Sequence, residues 1–153
     1  MTQQGLTARE LRAWRVSFEM LELLRTRIEQ QLQAVSGLSN ADYTVLAVLS
    51  EAPDGRLRLF ELCRIAGWEK SRLNHQLTRM SSRGLVLRER CGSRGIHAVI
   101  TEKGLAALEE AVPGHTREVR RLFVDRLTPD ELDRFADTAA TILDGLRADQ
   151  ASA

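Results

Sequence analysis

Residues 67–104 read GWEKSRLNHQLTRMSSRGLVLRERCGSRGIHAVITEKG, and this stretch decides the fold. Its first part, residues 70–83, has apolar residues at steps of three and four, which predicts an amphipathic helix that ends at Gly84. Beyond Gly84 the apolar spacing becomes that of strands. It predicts a β-hairpin whose strands at residues 85–91 and 96–100 are joined by a turn at residues 92–95. The sequence therefore predicts a helix followed directly by a hairpin.

The same stretch concentrates the positive charge of the chain. The 153 residues carry a net charge of +1, but residues 70–97 contain seven lysines and arginines against one acid, and the parts on either side are net acidic. Such a block is typical of a surface that contacts phosphate groups. A solvated basic face would have the same charge, so the periodicity must decide between the two.

The spacing divides the predicted helix 70–83 into two faces. Leu73, Leu77 and Met80 share one face and are expected to dock the helix onto a core. A merely solvated helix is expected to pair Glu with Lys four residues apart, whereas the opposite face here has no acid. We interpret that face as DNA-contacting, because its side chains are of the kinds that bind bases and phosphates: Lys70, Ser71, Arg72, Asn74, His75, Thr78 and Arg79.

A short predicted helix at residues 59–65, ended by Gly67, precedes the DNA-contacting helix and completes a helix-turn-helix. The hairpin that follows is then a wing. Arg94 stands at its tip, where a long cationic side chain can enter a narrow minor groove. Arg88 on the first strand is either a phosphate contact or an outward-facing residue in a salt bridge near Glu89. The expected DNA-binding region spans residues 39–101.

Long apolar helical patterns flank this region at residues 8–36 and 102–148. Thr7 and Glu10 form a capping box at the start of the first pattern. Pro113 is expected to kink or break the second, and residues from Ala148 onward are expected to fray. These patterns hold more apolar surface than one winged helix needs, and a two-fold homodimer would bury it. The predicted fold class is mainly α with a small β-hairpin, a winged helix-turn-helix with dimerisation helices at both ends.

Composition argues against several other classes of protein. No apolar stretch is long enough for a membrane span or a signal peptide, which predicts a cytoplasmic protein. Cys63, Cys91 and the three histidines lack the spacing of metal ligands, so neither a metal nor another cofactor is expected. A glycine-rich phosphate loop, a nucleophile elbow and a pair of catalytic carboxylates are all missing, which disfavours an enzyme.

The ordered set of motifs in residues 67–80, 83–88 and 100–104 resembles the MarR family of bacterial transcriptional regulators. Matches before and after these motifs extend the resemblance over nearly the whole chain. The resemblance implies a homodimer with interlocked terminal helices that binds a palindromic operator in double-stranded DNA. Many members of the family release DNA when a small phenolic or other aromatic ligand binds. The family usually has an acid two positions before the wing-tip arginine, where this chain has Gly92.

We therefore expect a transcriptional regulator, most simply a repressor, that a small aromatic effector can release from DNA. The candidate effector pocket is at the junction of the first helix with the DNA-binding region, lined by Trp14, Phe18, Tyr43 and Trp68, although aromatic residues at helical spacing more often belong to a core. Two alternatives stay open: a redox-responsive regulator that uses Cys91 or Cys63, and a winged helix that binds protein.

Overall fold

In the computed structural model, which describes residues 5–93 and 95–151, helices and strands follow the predicted order. The chain runs through α1 (Ala8–Ser36), α2 (Asn40–Glu51), β1 (Arg56–Arg58), α3 (Leu59–Ala66), α4 (Lys70–Ser82), β2 (Val86–Cys91), β3 (Gly95–Ile100), α5 (Glu102–Leu122) and α6 (Pro129–Ala151). The predicted class, mainly α with a small β-hairpin, is confirmed. The predicted wing-tip residue, Arg94, lies outside the described residues.

Local capping explains where the first helices begin and end. The Thr7 side chain accepts a hydrogen bond from the Glu10 backbone, and the Glu10 carboxylate accepts one from the Thr7 N–H at 2.7 Å. Gly37 ends α1 with a φ of 67°, a conformation in which a side chain would be strained. Ser39 and Asp42 repeat the capping box at the start of α2.

The chain divides into two compact units, the first ending at His115 and the second beginning at Thr116. The core of the first unit contains the predicted docking face of α4, because Leu73, Leu77 and Met80 are fully buried. Buried side chains from several other elements of this unit complete the core, among them Leu32, Leu38, Val45, Leu46, Leu49, Leu62, Leu85, Val86 and Ala98. The docking prediction is therefore confirmed.

The wing belongs to a three-stranded antiparallel sheet with the order β1-β3-β2. β2 and β3 form the predicted hairpin, in which Val86 pairs with Ile100 and Cys91 with Gly95. β1 pairs with the other edge of β3 and places Arg56 opposite Val99. The strand that precedes the helix-turn-helix is thus hydrogen-bonded to the wing that follows it.

Of the expected kink or break at Pro113, the break is wrong, since α5 continues from Glu102 to Leu122. Pro113 is exposed, so solvent can hydrate the Glu109 carbonyl group that the proline ring leaves without a backbone donor. Gly114 next to it has a packing role, because a Cβ at this position would lie 2.7 Å from Nε2 of Gln31 in α1. α5 therefore comes close to side chains of α1 at Gly114.

The second unit contains the end of α5 and the whole of α6. The Thr128 side chain caps α6 at 3.3 Å from the Glu131 backbone nitrogen, and Phe123 packs edge-on against Phe135 with ring centroids 5.2 Å apart. α6 extends through Ala151, beyond Ala148, from which fraying is expected. Across 5–93 and 95–151, every helix is too short or too polar to cross a bilayer.

Candidate nucleic-acid interface

The exposed face of α4 carries the predicted DNA-contacting side chains on one continuous surface. Asn74 is half-buried, and the other members of the set on this helix are exposed: Lys70, Ser71, Arg72, His75, Thr78 and Arg79. The buried docking residues lie on the opposite side, which fixes this face outward. The structure thus brings seven of the nine predicted DNA-contacting residues together on a single helix.

Arg88 does not form the predicted salt bridge. Its Nη2 atom donates to the backbone carbonyl of Asn74 at 2.6 Å and to the Thr78 hydroxyl at 2.9 Å. The ion pair on this sheet joins Glu89 to Arg56 instead, at 3.2 Å. The pleat explains the difference, because Arg88 and Glu89 are neighbours on one strand and point to opposite faces of the sheet. Arg88 faces α4 and ties the wing to it.

A buried carboxylate that sequence reasoning missed holds α4 from the other side. Asp42 is 3% exposed, and its Oδ1 accepts a hydrogen bond from Nε2 of Gln76 at 2.6 Å. Gln76 is also 3% exposed and lies on α4 among the docking residues. Its Oε1 in turn accepts a bond from Nη2 of Arg79 at 2.6 Å. One arginine of the exposed face is therefore oriented by a buried amide and a buried acid.

The second oxygen of Asp42 joins the ends of three helices. Oδ2 accepts from Nη1 of Arg83 at 2.6 Å and from the Ser39 N–H at 3.0 Å. Nη2 of Arg83 also donates to the Gly37 carbonyl at 3.1 Å. Because Arg83 ends α4, Ser39 begins α2 and Gly37 ends α1, these bonds fix the three helices against one another. A weak signal was present in the sequence, since Asp42 takes the third position of a capping box.

The four aromatic residues of the predicted effector pocket do not gather into one pocket within the chain. Trp14 and Phe18 contact each other at 4.3 Å on α1 and are about half exposed. Trp14 precedes the buried Leu32 by 18 residues on the same helix, a distance of about 27 Å at the α-helical rise. Tyr43 packs against His115 instead, with ring centroids 4.1 Å apart. This separation follows from the length of α1, which has 29 residues.

Trp68 lies apart from the other predicted pocket residues on the chain, in the turn that connects α3 to α4. It packs against the core in the turn before α4, and the Arg72 guanidinium lies over its ring, 4.4 Å from the centroid. This cation–π contact restrains the Arg72 side chain at the edge of the exposed face. Trp68 thus positions Arg72, one of the candidate DNA contacts, and the Arg72 guanidinium covers one face of its ring.

The two cysteines lie in different environments. Burial raises the pKa of the Cys63 thiol on α3, which disfavours the reactive thiolate form. Cys91 is exposed at the end of β2. In the part of the chain that the structure describes, no group of three or more histidine, cysteine or acidic side chains is arranged to hold a metal ion.

Comparison with solved structures identifies the family. The structure superposes on AbsC, a MarR family transcriptional regulator from Streptomyces coelicolor, with a TM-score of 0.90 and 39% identity, over 95% of this chain and 99% of AbsC. The chain belongs to the MarR family. Sco3205, a MarR family regulator from the same organism solved in complex with DNA, gives a TM-score of 0.89 and 37% identity over 92% and 93% of the two chains.

A more distant MarR structure shares the fold alone. A mutant MarR from E. coli, solved with operator DNA, gives a TM-score of 0.76 and 20% identity over 84% of this chain and 91% of its own. Neither a protein-family model nor a curated protein sequence matches the chain. The MarR assignment therefore rests on structure together with identity over nearly the full length.

The position where the chain departs from the usual MarR wing pattern has a clear backbone role. Gly92 has a φ of +66° in the turn after β2, a conformation that favours glycine over an acid. It is exposed, and a Cβ at this position would have no atom within 4 Å. The turn of this MarR wing is therefore built on the conformational freedom of glycine.

Proposed function

We propose that this MarR protein is a transcriptional regulator that binds double-stranded DNA through α4 and the wing. The observation that carries the proposal is the exposed face of α4, which is polar, basic and free of acids, while the opposite face is fully buried. A helix oriented in this way presents hydrogen-bonding side chains to a major groove. The regulator Sco3205, 37% identical and solved with DNA, supports the same use of this fold.

We propose further that the protein acts as a homodimer. α1 leaves several large apolar side chains about half exposed, among them Trp14, Val16, Phe18, Leu21 and Leu23. α6 has no buried residue and exposes Ile142, Leu143 and Leu146. Apolar surface on this scale is costly in water, and association of two identical copies about a two-fold axis would cover it. The operator would then be pseudo-palindromic, with half-sites about one helical turn apart.

Repression relieved by a small aromatic effector is the regulatory part of the proposal. It is supported by the half-buried pair of Tyr43 and His115 in the first unit, because the Nδ1 atom of His115 is buried without a protein partner. A buried ring nitrogen without a partner next to an aromatic ring suits a ligand with a ring and a hydroxyl group, which can donate or accept a hydrogen bond. The test is whether phenolic compounds perturb the Tyr43 and His115 signals and release bound DNA.

Selection from a pool of random duplexes at moderate salt tests the central proposal. We expect enrichment of one inverted repeat, bound with an affinity that falls steeply as salt rises. A pool in which no inverted repeat is enriched would contradict the regulator function. The winged helix as a protein-binding module is disfavoured, because the exposed face of α4 combines several cationic side chains with no large apolar one.

A further inference from the structure

A cleft of about 440 Å³ lies between α1, the start of α2 and the exposed face of α4. Its charged lining consists of Arg25 and Glu29 from α1 and Arg72 and Arg79 from α4. Three arginines against one carboxylate give this lining a net positive charge at neutral pH. Arg25 is outside the basic block of the sequence, and only the fold brings it to the DNA-contacting helix.

All three arginines have protein partners before any ligand arrives. Nη2 of Arg25 pairs with Oε2 of the exposed Glu22 at 2.8 Å, whereas Arg79 and Arg72 are held by residues packed in the core. Gln76 fixes one nitrogen of the Arg79 guanidinium, and the almost fully buried Asp42 fixes Gln76 in turn. The ring of Trp68 restrains Arg72 from below. A guanidinium has five N–H donors, so a single bond to Gln76 leaves most of those on Arg79 available. The lining is thus organised by side chains that belong to the core.

The chain already places a negatively charged oxygen at the α2 side of this cleft. Oε2 of Glu29 accepts a hydrogen bond from the Asn40 backbone N–H at 2.6 Å. This contact shows that an anionic oxygen fits against the first turn of α2, and it also means that Glu29 opposes the entry of another anion. The cleft therefore combines attraction by the arginines with repulsion by one carboxylate.

We propose that this cleft binds a phosphate group of the DNA backbone beside the groove that α4 enters, with Arg25 as a contact supplied by the long first helix. The proposal rests on the proposed DNA binding. Guanidinium groups bind oxyanions through paired N–H donors, whether the oxyanion belongs to DNA or to a small molecule. DNA is the favoured source because Arg72 and Arg79 stand on the DNA-contacting helix itself.

Arg25→Gln tests the proposal, with Arg27→Gln as the matched control. Both arginines are exposed on α1 and both substitutions remove one positive charge, but only Arg25 lines the cleft. We expect Arg25→Gln to weaken operator binding and to make the plot of log K against log salt shallower, by about 0.9 for each phosphate that the variant no longer neutralises. Arg27→Gln should keep the wild-type affinity and slope.

Glu29→Gln gives a test in the opposite direction. The amide oxygen of glutamine can still accept the Asn40 N–H bond, so the fold is retained while the opposing charge is removed. We expect tighter operator binding than wild type, with the largest difference at low salt. Glu19→Gln, an exposed α1 position away from the cleft, is the control and should leave the affinity unchanged.

Titration of the DNA-free protein with inorganic phosphate, followed by NMR, separates the two sources of the anion. If Arg25→Gln alters phosphate binding but leaves operator affinity and salt slope unchanged, the cleft binds a free anion and the proposal is overturned. It is also overturned if Arg25→Gln behaves like Arg27→Gln in both measurements. A wild-type protein that binds no DNA would instead contradict the proposed function, and the selection experiment shows this before any variant is made.

Discussion

Arg88 of β2 donates a hydrogen bond to the backbone carbonyl of Asn74 in the middle of α4, with the two atoms 2.6 Å apart. The same guanidinium nitrogen bonds the Thr78 hydroxyl one helical turn further along. One side chain of the wing is thus hydrogen-bonded to α4. Both the wing and α4 are proposed to contact the same half-site. The hydrogen bonds of Arg88 hold them in the relative position that simultaneous contact requires.

Arg88→Lys should therefore weaken operator binding about tenfold, equivalent to about 1.4 kcal/mol. Lysine keeps the charge, but a single ammonium group cannot reproduce the planar guanidinium contact with the carbonyl and the hydroxyl. Fluorescence anisotropy with a labelled operator gives the affinity, and Arg27→Lys is the control on an exposed part of α1. An unchanged affinity in Arg88→Lys would show that these hydrogen bonds do not matter for DNA binding.

Asp42→Asn should lower the free energy of unfolding by about 2 kcal/mol. A buried acid that loses its charge leaves its partners poorly satisfied, but Arg83 is 44% exposed and can regain water, so the cost is below that of a fully buried ion pair. Urea denaturation measures the effect, and Asp133→Asn on the exposed surface of α6 should change little. Combining Asp42→Asn with Arg83→Gln should cost less than the sum of the two single changes.

Acidification should destabilise the protein in part through His115. Burial lowers the pKa of this histidine below its ordinary value of 6.5, so the unfolded chain binds more protons than the folded chain between the two pKa values. The free energy of unfolding therefore falls as the pH drops through 6.5. His115→Phe keeps an aromatic ring against Tyr43 and should lose less stability than wild type between pH 7.5 and pH 5.5. Equal losses would contradict the assignment to His115.

Phe18→Asp should dissociate the proposed dimer and reduce operator affinity more than tenfold. A carboxylate on the apolar face of α1 would be buried without a partner in any dimer that covers this face. Sedimentation gives the mass, and Arg27→Gln, which changes the charge by the same amount, is the control. A dimer that survives Phe18→Asp would place the interface elsewhere.

The parts of the fold that depend on local sequence were predicted well. Thr7 and Gly37 mark the ends of α1 because capping is decided by neighbouring residues. The docking face of α4 followed from periodicity alone, since Leu73, Leu77 and Met80 recur with the helical repeat. The same logic failed at Pro113, because the cost of a proline depends on whether solvent reaches the carbonyl group that it leaves without a donor.

The interactions that orient the candidate site could not be read from local patterns. Asp42 and Gln76 are 34 positions apart and meet only in the folded chain. Arg88 was a plausible phosphate contact by position, and its bond to Asn74 depends on which side of the strand faces α4. Arg25 gave no signal, because it is one charge among several on a long amphipathic helix. Tertiary contacts determined all three.

The pairing of β1 with β3 has a consequence for how the winged helix-turn-helix folds. β1 precedes α3 and β3 follows α4. The backbone hydrogen bonds between β1 and β3 therefore join the two ends of the segment that contains the helix-turn-helix. That ladder can form only when the chain between β1 and β3 has folded back and brought the two strands together. The sheet and α4 should therefore form in one cooperative step, with backbone amides of similar protection against hydrogen exchange.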